Sequence, residues 1–107
     1  MTVLEHALLT ESELDAALKA LASPQRRAIV RMLAARTDDS PTSCCAPAEV
    51  CACKLSEHLG LAASTISHHM SVLREAGLVT SRKDGTWVHY GLRADVLREV
   101  AESIRLM

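Results

Sequence analysis

Apolar residues recur along this chain at three- and four-residue intervals, except in one late stretch where the period drops to two. Leu14, Ala17, Leu18 and Leu21 make the first such stripe. Thr10-Glu11-Ser12-Glu13 precedes it with the spacing of a capping box, so a helix is expected over about 10–21. Ser23-Pro24 opens a second helix, with Ser23 as cap and Pro24 in the first turn. That helix should run to about Arg36, with Ile29, Met32 and Leu33 inward and Arg26, Arg27 and Arg31 outward. Residues 37–50 have loop composition and two prolines, a longer connection than helices in a small domain commonly use. Two short helices follow, joined at Gly60 in a left-handed cap. Leu55 and Leu59 point inward from the first; Ile66, Met70 and Leu73 point inward from the second, with Val72 at the flank and Gly77 as terminator. The second starts near Ala62 or Ala63, and Ser64 is its alternative cap. From Leu78 to Leu92 the pattern alternates, and Lys83-Asp84-Gly85 signals a hairpin turn. A last helix over 94–106 carries Leu97, Val100, Ala101 and Ile104.

Helix, turn, helix and hairpin in that order predict a winged helix-turn-helix: α+β, mainly α, as a single domain over residues 1–107. The helix-turn-helix spans 52–77 and the wing 78–92. The helices at 10–21 and 94–106 are both amphipathic, and one small domain does not cover both stripes. A symmetric homodimer through these first and last helices is therefore expected. The 107 residues, 49% hydrophobic and 23% charged, suit one globular domain. No apolar run reaches the roughly 18 residues of a membrane span. The acidic start MTVLEHALLTESELD lacks the basic region of a signal peptide. The expectation is a cytoplasmic protein with no membrane partner, in a compartment that keeps thiols reduced.

A net charge of −1 does not by itself mark a nucleic-acid binder, but its distribution is uneven. Residues 1–22 carry Glu5, Glu11, Glu13 and Asp15 against Lys19. Residues 64–93 carry Arg74, Arg82, Lys83 and Arg93 against Glu75 and Asp84. The second helix of a helix-turn-helix enters the major groove of double-stranded DNA with short polar side chains at its start. Ser64, Thr65, Ser67 and His68 meet that demand, and Ser64, Ser67, His68 and Ser71 lie on the face opposite Ile66, Met70 and Leu73. Arg82 and Lys83, expected at the hairpin tip, would meet phosphate or a minor groove.

All four cysteines, Cys44, Cys45, Cys51 and Cys53, fall within ten residues. Such clustering favours metal binding or redox chemistry over core filling. In a regular helix Cys51 and Cys53 would diverge by about 200°, so gripping one ion requires extended or distorted backbone. Ion capture would then pull the start of the first helix out of regular geometry and shift its packing, through Leu55 and Leu59, on the reading helix. Cys44 or Cys45 from the preceding loop would complete a sulfur-only site, which selects thiophilic ions. Reversible oxidation of the thiols is the other chemistry open to them.

The segments ALASPQRRAIVRMLA and VCACKLSEHLGLAASTISHHMSVLREAGLVTSRKDGTWVHYGL closely resemble the ArsR/SmtB family of bacterial metal-responsive repressors. The resemblance covers about residues 14–93. It implies a homodimeric winged helix that binds an operator palindrome and dissociates on binding an inducer. Its DNA-contacting positions carry over to Ser64, Thr65, Ser67 and His68, and its wing to Arg82 and Lys83. Arsenical sensors of the family carry C-V-C-x-L-x-C here. Cys51 and Cys53 match the first two cysteines; Ser56 stands at the third, so Cys44 or Cys45 would have to replace that ligand. The last-helix zinc site of other members uses Asp, His and Glu; Asp95 is present, but no histidine follows His89. The resemblance thus implies a repressor released by As(III) or Sb(III), with no catalytic cofactor. A sensor of Cd(II), Pb(II), Hg(II) or Cu(I), or of oxidants, is the nearest alternative. A small thiol-dependent reductase or a metal carrier is the alternative from another class. The reductase is disfavoured by the lack of a C-x-x-C pair, a phosphate loop or a His/carboxylate pair beside the cysteines.

Overall fold

The computed structural model describes residues 9–35 and 49–107. Within them the order is α1 (Glu11–Ala20), α2 (Pro24–Ala35), β1 (Glu49–Cys51), α3 (Ala52–Leu59), α4 (Ala63–Glu75), β2 (Val79–Asp84), β3 (Trp87–Leu92) and α5 (Ala94–Arg105). The three strands form one antiparallel sheet in the order β1-β3-β2. This is the winged helix-turn-helix order expected from the pattern, with one strand more.

The helix ends follow their local chemistry. Thr10 and Glu13 cap α1 reciprocally: Glu13 N–H donates to Thr10 Oγ1 at 3.1 Å and Thr10 N–H to Glu13 Oε1 at 2.8 Å, which satisfies two otherwise orphaned donors. Gly60 closes α3 at φ 66°, and Ser56 Oγ donates to the Leu61 carbonyl at 2.5 Å, fastening the turn. Ala62, not Ser64, caps α4, without a side-chain bond; the buried position of Ile66 sets the phase of this helix, and the weak cap follows from it. Gly77, at φ 80°, ends α4 in a Schellman motif. Its N–H reaches the Arg74 carbonyl at 2.9 Å, and Leu78 N–H reaches that of Leu73 at 3.0 Å. Leu73 and Leu78, both fully buried, supply the accompanying apolar contact.

The core joins every element. Ile29, Leu33, Leu55, Ile66, Met70, Leu73 and Leu78 are at most 1% exposed, and Val50, Val79, Tyr90 and Val100 close it from the sheet and α5. Four sequence expectations need correction. Leu18 points outward (38% exposed) while Ala20 is buried, because α1 packs through Leu14, Ala17 and Ala20. On α5 only Val100 is fully buried; Ala101 and Ile104 are exposed. Helix α1 packs on α5, and the leftover apolar side chains Leu18, Ile104 and Leu106 belong to these two helices and the residue after them. The tail of the expected loop 37–50 is strand: Glu49, Val50 and Cys51 pair with Gly91, Tyr90 and His89. Finally, the hairpin turn is the two-residue Gly85-Thr86, flanked by the Asp84↔Trp87 pair. Gly85 takes φ 63°, which the tight connection demands.

Candidate nucleic-acid interface and thiol site

Helix α4 divides as its 3.6-residue period requires. Ile66, Met70 and Leu73 are buried, and Ser64, Thr65, Ser67 and His68 are all exposed. Short hydroxyl and imidazole groups therefore stand together on an exposed surface, with no large apolar side chain among them.

His69 behaves differently from its neighbour. Its Nδ1 lies 3.2 Å from Arg26 Nη1, so the neutral ring accepts from the guanidinium. Burial first, then the charges of Arg26 and His68, holds its pKa below the ordinary histidine value. Arg26, expected outside, is half-buried. Its Nε donates to the Ala20 carbonyl at 2.6 Å, and Arg27 Nη1 donates to the Leu21 carbonyl at 2.8 Å. The two arginines thus cap the C-terminal carbonyls of α1, and Arg26 links α1 to α4. A pair of arginines a few residues past a helix end was the available signal for this role.

Arg26→Ala should lower stability by about 1–3 kcal/mol, read as a lower thermal midpoint. The pH dependence has a definite sign. The folded state keeps His69 neutral to a lower pH than the unfolded chain does, so the unfolded chain binds the extra proton below about 6.5. This contribution is complete above that value and is lost as pH falls towards the folded-state pKa. Thermal melts of the wild type and His69→Gln between pH 7.5 and 5 should show a shallower decline in the variant.

Between α4 and the hairpin lies a groove of about 400 Å³ lined by Ser67, Ser71, Arg74, Ser81, Lys83 and Tyr90, with Met70 and Val88 also in its wall. Arg74 Nη1 donates to Ser81 Oγ at 3.3 Å across it. Arg74, Ser81 and Tyr90 were missed as site residues by the sequence reading, because helix and strand meet only in the fold. Neither Lys83 nor Arg82 is at the hairpin tip: Lys83 sits within β2 opposite Val88, and opposite His89 sits Arg82. Its Nη2 lies 2.8 Å from Glu49 Oε1 on β1, and its Nε 3.2 Å from Oε2. The ion pair reaches over β3, which runs between the two strands.

Cys51 and Cys53 are thiols whose sulfurs lie 2.7 Å apart. Divergence by 200° does not arise, because Cys51 ends β1 with extended backbone (φ −78°, ψ 156°) while Cys53 lies in the first turn of α3. The strand-to-helix junction itself brings the sulfurs together; no unwinding of α3 is needed. Cys51 is fully buried and Cys53 exposed. An ion with bonds of about 2.3 Å to each sulfur needs them roughly 3.3–3.8 Å apart, the spacing of two thiols in ordinary contact, so the junction presents the pair as a ready bidentate grip. Cys44 and Cys45 lie outside the described residues, and among the described residues no three His, Cys, Asp or Glu side chains converge as metal ligands. Ser56, at the position of the third cysteine in the motif, is engaged by the Leu61 carbonyl. His89, cross-strand from Cys51, is 2% exposed, and among the described residues its Nδ1 has no hydrogen-bond partner.

Comparison with known proteins agrees with this architecture. The family described as bacterial regulatory protein, arsR family, matches residues 23–81. An arsenical resistance operon repressor of Staphylococcus aureus is 33% identical over 99 residues, covering 92% of this chain and 84% of that protein. The crystal structure of a possible transcriptional regulator for arsenical resistance superposes with a TM-score of 0.67 at 32% identity, over 83% of this chain and 80% of the other. The homodimeric winged helix-turn-helix DNA-binding domain of a possible ArsR-family regulator from Mycobacterium bovis gives 0.66 at 25% identity, over 89% and 78%.

Proposed function

This chain belongs to the arsR family of bacterial regulatory proteins, a transcriptional regulator and not an enzyme, and on that premise we propose that it is a homodimeric repressor released from its operator by trivalent arsenic or antimony. The observation that carries the reading is the pair of sulfurs held 2.7 Å apart at the one junction shared by the sheet and the first helix of the helix-turn-helix. Soft thiolates select thiophilic ions. Cys51 and Cys53 are two ligands, and Cys44 or Cys45 supplies the third. The resemblance of Cys51 and Cys53 to the arsenical motif, and the arsenical-resistance names of the relatives, favour As(III) or Sb(III) over Cd(II), Pb(II), Hg(II) and Cu(I).

On the DNA side, Ser64, Thr65, Ser67 and His68 read base edges in the major groove, while Lys83, and Arg82 once parted from Glu49, meet phosphate. A second copy of the chain covers Leu18, Ile104 and Leu106 and places two reading helices on a palindrome. Among the described residues no helix is long and apolar enough to cross a membrane, which fits a regulator acting in the cytoplasm.

The deciding experiment is fluorescence anisotropy on a duplex selected by the wild-type protein from a random pool. Arsenite, antimonite, cadmium, zinc, cuprous ion and peroxide are titrated in parallel. Release by arsenite or antimonite is expected; release by zinc or peroxide alone would overturn the choice of inducer. The peroxide arm has its own warrant, since two thiols this close can be oxidised by one peroxide to a disulfide and two waters. On the same duplex Ser64→Ala and His68→Ala should each weaken binding by about 1–3 kcal/mol. Affinity for a scrambled duplex should not change, and competition between the two duplexes measures this.

A further inference from the structure

We propose that the groove between α4 and the hairpin seats the sugar-phosphate backbone of one DNA strand, and that Arg74 is its principal phosphate contact. The inference rests on the reading of α4 as the helix in the major groove. In a duplex, a ridge of phosphates separates each major groove from the neighbouring minor groove. A protein with α4 in the first and the tip of the hairpin at the second must let that ridge pass between them. The structure has an opening there, of about 400 Å³.

The lining suits the occupant. Arg74 and Lys83 bring two cations, Ser67, Ser71, Ser81 and Tyr90 bring hydroxyls, and among the described residues no carboxylate lines the groove. Phosphate oxygens in DNA complexes are bound by just these types, arginine and lysine with serine and tyrosine hydroxyls. The sheet register accounts for which wing cation takes part. Ser81 pairs with Tyr90 and Lys83 with Val88, so all four share the sheet face turned to α4. Arg82, one residue on, falls on the opposite face with Glu49, as strand alternation requires. Arg74 spans the groove to Ser81, and its charge acts against the burial that raises the pKa of the Tyr90 phenol. A guanidinium held this way is oriented before DNA arrives, and its planar fork matches two phosphate oxygens.

The test is binding of the wild type, Arg74→Gln and Arg74→Lys to the selected duplex and to its scrambled counterpart across a salt series. Arg74→Gln should weaken both duplexes by the same factor. It should also reduce the slope of log K against log salt by about 0.9 for each bound protomer, while Arg74→Lys keeps the slope. A neutral methylphosphonate at the contacted linkage should weaken the wild type and leave Arg74→Gln unaffected. An unchanged slope in Arg74→Gln would overturn the proposal. So would a loss confined to the selected duplex, which would make Arg74 a base reader. Inorganic phosphate that competes with DNA for the wild type but not for Arg74→Gln supports a phosphate seat. If phosphate binding requires Arg74 while the duplex affinities do not, the occupant is a small anion and the proposal fails. Failure of the underlying reading is separate, since wild-type protein would then bind neither duplex. Equal thermal midpoints for the three proteins exclude simple unfolding as the cause.

Discussion

Leu55→Ala should cost about 2–5 kcal/mol of stability, against the roughly 5–15 kcal/mol that holds a domain together. Leu55 is fully buried and stands where α3, which carries Cys53, packs on the rest of the core. Removing its three terminal carbons leaves a void among residues fixed from several elements, so collapse into it is resisted. The expected result is a lower denaturation midpoint with an unchanged denaturant slope. An isosteric Leu55→Met variant should recover most of the loss. A loss below about 1 kcal/mol would mean that α3 is only loosely held, and that its movement cannot be passed to α4 through this side chain.

Replacing Cys51 and Cys53 with serine should abolish release by the inducer while operator affinity stays near that of the wild type. Coupling between an effector site and a binding site is typically worth 5- to 150-fold in affinity, and all of it should vanish. The variants also separate the two thiols. Cys51 is buried and Cys53 exposed, so Cys53→Ser should remove the response with no change in thermal midpoint, whereas Cys51→Ser adds a modest destabilisation from a hydroxyl placed in the core. Anisotropy with and without arsenite, beside thermal melts of each variant, reads both effects. Loss of DNA binding in Cys53→Ser without inducer would show that the thiols support the fold and do not sense.

Much of this architecture was legible in the order of residues, for identifiable reasons. The capping box at Thr10, the Ser23-Pro24 start, Gly60 and Gly77 are local signals whose physics does not depend on distant contacts, and each sits at an element end as expected. The stripe of Ile66, Met70 and Leu73 was long enough to set the phase of α4 and hence its outer face. The features that escaped are those made by tertiary pairing. Strand β1 has three residues, too few to show alternation, and exists because β3 offers an edge. Arg82 looked like a tip residue until the register of the turn placed Gly85-Thr86 beyond it. Arg26 looked solvated because the period of α2 puts it on the outer face, and its tie to His69 is made only when α4 packs beside it. The thiol pair was visible as a cluster, but its geometry depended on the same missing strand.

That strand has a mechanical consequence. By its pairing with His89, Cys51 is fastened to the hairpin as well as to α3, so an ion held by the two thiols would pull on two levers at once. One is the helix beneath the reading surface. The other is the edge of the sheet, where Glu49 holds the Arg82 guanidinium. If the chain acts as proposed, a displacement of β1 too small to disturb the core would shift that positive charge between Glu49 and the duplex.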